Sequence, residues 1–185
     1  MQRALVDLAI SGDEEAFADL ARAVGNRLLS IAYRILRDLG RAEDAVQQTL
    51  VIAWQQLPTL RDPDRFDAWI HRLLVNACYA EARRARTWTA QVRVLPVDRA
   101  TQSDDLLTVA HRDQLERGFR RVPPDQRAIF VFHHYLGMTL PEIADQLGVP
   151  LGTVKSRLNY ATSTLRAALE ADLRVTNTNR TERPA

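Results

Sequence analysis

A chain of 185 residues allows one medium domain or two small ones, and 46% hydrophobic with 26% charged residues is the composition of a folded globular protein. The single cysteine, Cys78, excludes an internal disulfide and any cysteine-based zinc site, and the four histidines lack metal-ligand spacing, so no metal and no other cofactor is expected. Net charge is only +2, but the excess of cations lies in residues 108–185; arginine supplies every cation except Lys155. The first residues carry Asp13, Glu14 and Glu15 and no apolar signal core, and no stretch approaches a membrane span. The expectation is a cytoplasmic protein without membrane insertion.

Helical periodicity begins at once. Residues 3–10 read as a short apolar helix, and Ser11-Gly12-Asp13 breaks it and caps the next. Phe17, Leu20, Ala21 and Val24 then form one face. After Gly25-Asn26 a second run carries Leu28, Leu29, Ile31, Ala32, Ile35 and Leu36, and Gly40 is expected to end it. Residues 41–57 are again amphipathic, with Ala42, Ala45, Val46, Thr49, Leu50, Ala53, Trp54 and Leu57 inward. Their outer face, with Asp44, Gln47 and Gln48, is uncharged to acidic, so phosphate would repel it. Periodicity alone favours a solvated face there over one docked on a basic partner.

The loop Arg61-Asp62-Pro63-Asp64-Arg65 leads into a helix over residues 66–86. Phe66, Trp69, Ile70, Leu73, Leu74 and Ala77 form its core face. A second stripe, Arg72, Asn76, Tyr79, Arg83 and Arg86, advances by four, three, four and three residues, and so lies along one side of a single helix. Arginines for phosphates, an amide for base edges and an aromatic ring for stacking are the parts that hold single-stranded nucleic acid. An arginine-rich solvated face is the alternative.

From Thr87 to Leu107 the pattern lapses, as in an inter-domain linker; Asp98, Asp104 and Asp105 lie within it. Helix returns at Thr108–Arg121, stops at Pro123-Pro124 and resumes over Asp125–Leu136. Residues 139–170 then read as helix, tight turn, helix. Pro141 and Glu142 suit a first helical turn, Ile143, Ala144 and Leu147 face inward, and Gly148 supplies the positive φ that ends the helix. Val154, Leu158, Ala161, Leu165 and Leu169 continue as one apolar stripe. Opposite them, Gly152, Lys155, Ser156 and Asn159 share the outer face of the second helix's first turns, which suits entry into a DNA major groove. An ordinary helical hairpin is the alternative. After Asp172 the polar, aperiodic sequence predicts a frayed tail. There is no Gly-x-Ser-x-Gly and no carboxylate pair beside a histidine, so an enzyme is not expected.

Together the two halves resemble a known family, the extracytoplasmic-function (group IV) sigma factors of bacterial RNA polymerase. In the first half the likeness rests on residues 42–54, Ala-Glu-Asp-Ala-Val-Gln-Gln-Thr-Leu-Val-Ile-Ala-Trp, on residues 66–76, Phe-Asp-Ala-Trp-Ile-His-Arg-Leu-Leu-Val-Asn, and on Arg83-Arg84-Ala-Arg86. In the second it rests on residues 142–150, Glu-Ile-Ala-Asp-Gln-Leu-Gly-Val-Pro, and residues 152–158, Gly-Thr-Val-Lys-Ser-Arg-Leu. The resemblance implies an all-α protein of two small helical domains: residues 1–87 as sigma region 2, 88–107 as linker, 108–170 as sigma region 4 and 171–185 as a disordered tail.

It also implies a role for each part. Asp44, Gln47 and Gln48 would dock on the β′ clamp of core RNA polymerase, which reverses the solvated reading of that face. Arg65, Phe66, Arg72, Asn76, Tyr79, Arg83 and Arg86 would open and hold the −10 element. The linker would thread the polymerase cleft. Gly152, Thr153, Lys155, Ser156, Arg157 and Asn159 would read the −35 element, with region 4 resting on the β flap. Promoter DNA and core polymerase are the implied partners, an anti-sigma factor is a further candidate, and the implied function is transcription initiation as an alternative, signal- or stress-responsive sigma factor. Two departures stand out. Gln48 occupies a place where relatives often carry an acidic residue, and Asn159-Tyr160-Ala161-Thr162 replaces the basic residues many relatives have, which predicts a weaker phosphate grip in mid-helix. The runner-up is a stand-alone helix-turn-helix regulator with residues 1–87 as a dimerisation domain.

Overall fold

The computed structural model describes residues 2–91 and 115–181. Most of the expected linker, its three aspartates and the start of the helix expected at Thr108 lie outside the described residues. The elements are α1 (Gln2–Ile10), α2 (Glu14–Leu36), α3 (Leu39–Gln56), two short 3-10 turns (Leu57–Thr59 and Pro63–Arg65), α4 (Phe66–Gln91), α5 (residues 115–121), α6 (Pro124–His134), α7 (Leu140–Leu147) and α8 (Leu151–Thr181). No strand occurs among the described residues. The fold is all-α.

Local chemistry sets the boundaries. Gly12, at φ 95°, turns the chain after α1, and the Asp13 carboxylate accepts from the Ala16 amide at 3.0 Å to start α2. Helix α2 then runs unbroken through Gly25, where a break was expected. An interior glycine costs only about 1 kcal/mol against alanine, and Val24, Leu28, Ile31 and Ile35 continue one buried face across it. The helix ends at Arg37, left-handed at φ 58°, and Asp38 caps α3 by accepting from the Arg41 amide. Gly40 therefore lies in the first turn of α3 and ends nothing.

The inner face of α3 is built of small residues: Ala42, Ala45, Thr49 and Ala53 are all fully buried. Thr49 satisfies its hydroxyl by donating to the Ala45 carbonyl at 2.6 Å, so the helix presents no open donor to the core. Such a face lets α3 lie close against both α2 and α4. Trp54, expected inward, is 40% exposed, with its ring 4.9 Å from that of Phe17.

Two helices outrun their expected ends. Helix α4 continues to Gln91, past the boundary read at residue 87, and α8 is helical through Thr181, past the expected fraying at Asp172. Neither glycine nor proline interrupts residues 66–91 or 153–183, and extending a helix already nucleated takes little per residue.

The core is one continuous apolar cluster that runs from Val6 through Leu28, Ile35, Leu74 and Cys78 to Ile129, Phe132, Ile143 and Val154. Helix α6 rests on α2 and α4, and α7 rests on α4, so the two halves share this core. A separate small cluster, Val122, Ala161 and Leu165 with Phe119 and Phe130, joins α5, α6 and α8.

The close contact of α3 generates a prediction. Replacing Ala45 with Leu should destabilise the chain by about 1–3 kcal/mol through overpacking, whereas Val51→Ser on the 46%-exposed outer face should change stability by less than about 0.5 kcal/mol. Urea denaturation of the two variants measures both.

Candidate nucleic-acid interface

Three surfaces carry the residues singled out from the sequence. The first is the outer face of α3. Asp44, Gln47, Gln48 and Val51 are all exposed and succeed one another at helical spacing. Val51 escaped the sequence reading, although its place seven residues after Asp44 is the signal that would have found it. One acid, two amides and an exposed apolar side chain bring no cation to this stripe, so it does not attract phosphate.

The second surface lies at the start of α4. The Asp62 carboxylate accepts from the Asp64 amide at 3.0 Å and fixes the turn Pro63–Arg65 that precedes the helix. Arg65 is exposed at its end. Phe66 is not: only 2% of it is accessible and its ring lies 6.0 Å from that of Trp69. It anchors the loop from beneath instead of facing a ligand.

Farther along α4, Arg72, Asn76, Arg83 and Arg86 are exposed in one stripe. Tyr79 departs from it. The residue is half-buried, and its hydroxyl is enclosed with no hydrogen-bond partner among the described residues. Burial pushes its phenol pKa up, as does the Asp125 carboxylate, against the opposing charge of Arg157.

The third surface is the helix-turn-helix. Thr139 and Glu142 form a reciprocal capping box at the start of α7. Glu142 accepts from the Thr139 amide at 2.7 Å, and these bonds hold its carboxyl below the usual range. Gly148, at φ 65°, closes α7, and the Val149 amide donates to the Ala144 carbonyl at 3.1 Å. Gly152, Lys155, Ser156 and Asn159 are all exposed on the first turns of α8. Thr153 is half-buried, and Arg157 turns away from that face to pair with Asp125 of α6 at 3.2 Å.

The second and third surfaces meet. The Gln146 side-chain amide donates to the Ala68 carbonyl at 2.8 Å, and an Arg72 guanidinium nitrogen lies 3.3 Å from where a side chain on Gly148 would begin. Between them opens a cleft of about 670 Å³, with Arg65, Trp69 and Arg72 on one wall and Met138, Glu142 and Asp145 on the other. Among the described residues no group of three His, Cys, Asp or Glu could hold a metal ion, and no helix is long and apolar enough to cross a membrane.

Behind the stripe, His71 is 6% exposed, with its ring 6.0 Å from that of Phe132. Its Nε2 lies 3.0 Å from an Arg27 guanidinium nitrogen and must accept there, which fixes the neutral ring. Burial first, and Arg27 second, lower its pKa from 6.5 to about 4, against the pull of Asp67. The unfolded chain therefore binds a proton that the fold refuses. Stability should fall as pH drops through 6.5 toward 4 and level off below, by about 3 kcal/mol in all. His134, lowered by burial and by His133, slopes the same way. Denaturant melts between pH 7 and 5 should show this slope, largely flattened in His71→Gln; an unchanged slope would place the titrating group elsewhere.

Residues 20–88 match the family described as Sigma-70 region 2, and residues 112–161 match Sigma-70, region 4. The chain is 34% identical over 163 residues to the ECF RNA polymerase sigma factor SigM of Mycobacterium tuberculosis, an alignment covering 86% of this chain and 80% of that one. It is 24% identical over 170 residues to the ECF RNA polymerase sigma factor SigW of Bacillus subtilis, covering 85% and 91%. Among solved structures it is similar to CnrH in complex with the cytosolic domain of CnrY, with a TM-score of 0.63, 28% identity and coverage of 92% and 98%. It also shares the fold of RpoE in its complex with the anti-sigma factor NepR from Bartonella quintana, with a TM-score of 0.67, 22% identity and coverage of 84% and 98%.

Proposed function

Because the chain belongs to the extracytoplasmic-function sigma factors of the sigma-70 family, we propose a division of its work among the three surfaces. It is an alternative sigma factor, which binds core RNA polymerase and directs promoter recognition and transcription initiation. In this reading residues 1–87 act as region 2 and residues 108–170 as region 4. The chain works in the cytoplasm, by recognition rather than by catalysis. The outer face of α3 docks on the β′ clamp through Asp44, Gln47 and Gln48, with Val51 adding apolar contact, and region 4 rests on the β flap. Lys155, Ser156 and Asn159 read or grip the −35 element from the start of α8, where Gly152 lets the backbone come close. The relatives solved with CnrY and NepR support an anti-sigma partner for this chain too.

The observation that carries the reading is the exposed stripe Arg72, Asn76, Arg83 and Arg86 on one helix, reached by a loop that Phe66 anchors and Arg65 ends. Arginine pairs with phosphate, and an amide offers both a donor and an acceptor to an unstacked base edge. Unstacking costs a few kcal/mol and must be recovered by contacts made only after opening. Tyr79 is the stacking ring of this stripe in the same reading, although its hydroxyl is enclosed in the free chain.

Asn76→Ala should leave assembly with core polymerase and −35 binding intact. Open-complex formation should fall roughly 5- to 150-fold, the range of one lost base contact, seen as lost permanganate reactivity near the −10 element. On a template with a pre-melted bubble most of the activity should return. Equal loss on melted and duplex templates would assign Asn76 to docking or packing instead.

A further inference from the structure

We propose that Arg157 is a positioning residue: its ion pair with Asp125 fixes how α8 is turned on α6, and so which side chains face the −35 element. The proposal deepens the functional reading above and rests on it.

The pair joins the two helices at one defined point. Arg157 Nε lies 3.2 Å from Asp125 Oδ2, and the two side chains are 31% and 38% exposed. Asp125 stands in the first turn of α6, directly after Pro123-Pro124, where the Gln126 and Arg127 amides donate to the Pro123 carbonyl at 3.0 and 2.9 Å. That turn holds the carboxylate in place, and an acid there also suits the positive end of the helix dipole. Both partners lie within residues 112–161, the stretch that matches Sigma-70, region 4, so the pair is internal to that half.

Helical geometry keeps Arg157 from serving the outer face at the same time. At about 100° per residue, it points roughly 100° away from Ser156 and roughly 160° away from both Lys155 and Asn159. Those three are exposed, whereas Arg157 is half-buried on the side of α6. Within residues 151–165 the cations are Lys155 and Arg157. With Arg157 committed to Asp125, this stretch keeps Lys155 to meet phosphate. Recognition here therefore depends on the aim of Lys155, Ser156 and Asn159 more than on summed charge.

The other contacts of α8 leave that aim to be set. Val154 is fully buried in the main core, and Ala161 and Leu165 are buried with Val122 in the small cluster. A side chain on Gly118 of α5 would begin 3.3 Å from Ala168 Cβ and from Leu165 Cδ2, so a close crossing pins the later turns of α8. Between Val154 and Ala161, the inward apolar side chain is the half-buried Leu158. Apolar contact is non-directional and tolerates a small roll of the helix about its axis. A charged pair with one partner on each helix favours a single rotation.

The test takes the full chain assembled with core polymerase, and promoter DNA recovered by run-off transcription with its −35 element intact or scrambled. Affinity for both DNAs is measured across a salt series. The variants are Asp125→Asn, Arg157→Gln and the double variant, with circular dichroism to check that each folds.

Asp125→Asn removes a negative charge, so charge alone would tighten its hold on DNA. Instead, preference for the intact −35 element should fall roughly 2- to 20-fold, and Arg157→Gln should lose as much with its salt slope unchanged. The double variant should lose no more than either single one, because partners that act through each other are not additive.

A phosphate contact at Arg157 gives a different pattern. Arg157→Gln would then weaken intact and scrambled DNA alike and lower the salt slope by about one, whatever stands at position 125. That pattern overturns the proposal. So do losses that multiply in the double variant, or single variants whose preference matches the wild type. In each of these failures the wild type still prefers the intact element. A wild type that ignores it overturns the functional reading itself, and the positioning role falls with it.

Discussion

Everything in this fold depends on the helical period acting along α4. At 3.6 residues per turn, one uninterrupted helix divides its surface into sectors that cannot be reassigned singly. Phe66, Ile70, Leu74 and Ala77 fall in one sector and close the core with α2 and α3. His71, Val75 and Cys78 fall in the next and are buried as well. Arg72, Asn76 and Arg83 fall in the third and remain in solvent. A scaffold, an inter-half contact and an exposed arginine and amide stripe are thus fixed together by the absence of glycine and proline from residues 66–91.

The neighbouring helices follow from that division. The fully buried face of α3 consists of Ala42, Ala45, Thr49 and Ala53, so its contribution to the core is closeness rather than bulk, and its outer side faces solvent. Large side chains come instead from α2 and from α6, whose Ile129 and Phe132 reach across to the first half. The helices of the second half also pack on one another, α6 and α7 against α8, and a small separate cluster around Val122, Ala161 and Leu165 adds to that. A domain of this size buries little apolar surface by itself, which gives α6 a physical reason to lean on α2 and α4 when no other surface is offered.

The elements whose signal is local were legible in the sequence. Asp13 as a cap, Gly148 as the left-handed end of α7, and the alternation of buried and exposed residues along α4 and α8 all depend on neighbours within a turn or two. Errors came where distant packing outweighed local preference. Gly25 reads as a break until the buried face on both sides of it is seen to continue, and Gly40 reads as a stop although Arg37 takes the left-handed position three residues earlier. Phe66 lies in the core, as the periodicity of α4 reads it and unlike the −10 role the resemblance implied, while Trp54 has core chemistry yet is 40% exposed. Arg157 follows Lys155 and Ser156 in sequence, but Asp125, thirty-two residues earlier, decides its direction. The sharing of one core by both halves left no trace in periodicity, because an apolar face does not state which surface will cover it.

As a sigma factor, the chain acts on promoters only as part of RNA polymerase. Run-off transcription with purified core polymerase on a genomic DNA library, with and without the chain, tests it most directly. Discrete transcripts that require both proteins and start downstream of one shared pair of −35 and −10 elements are expected. No chain-dependent transcripts, together with a duplex footprint made by the chain alone, would contradict it and favour the stand-alone regulator.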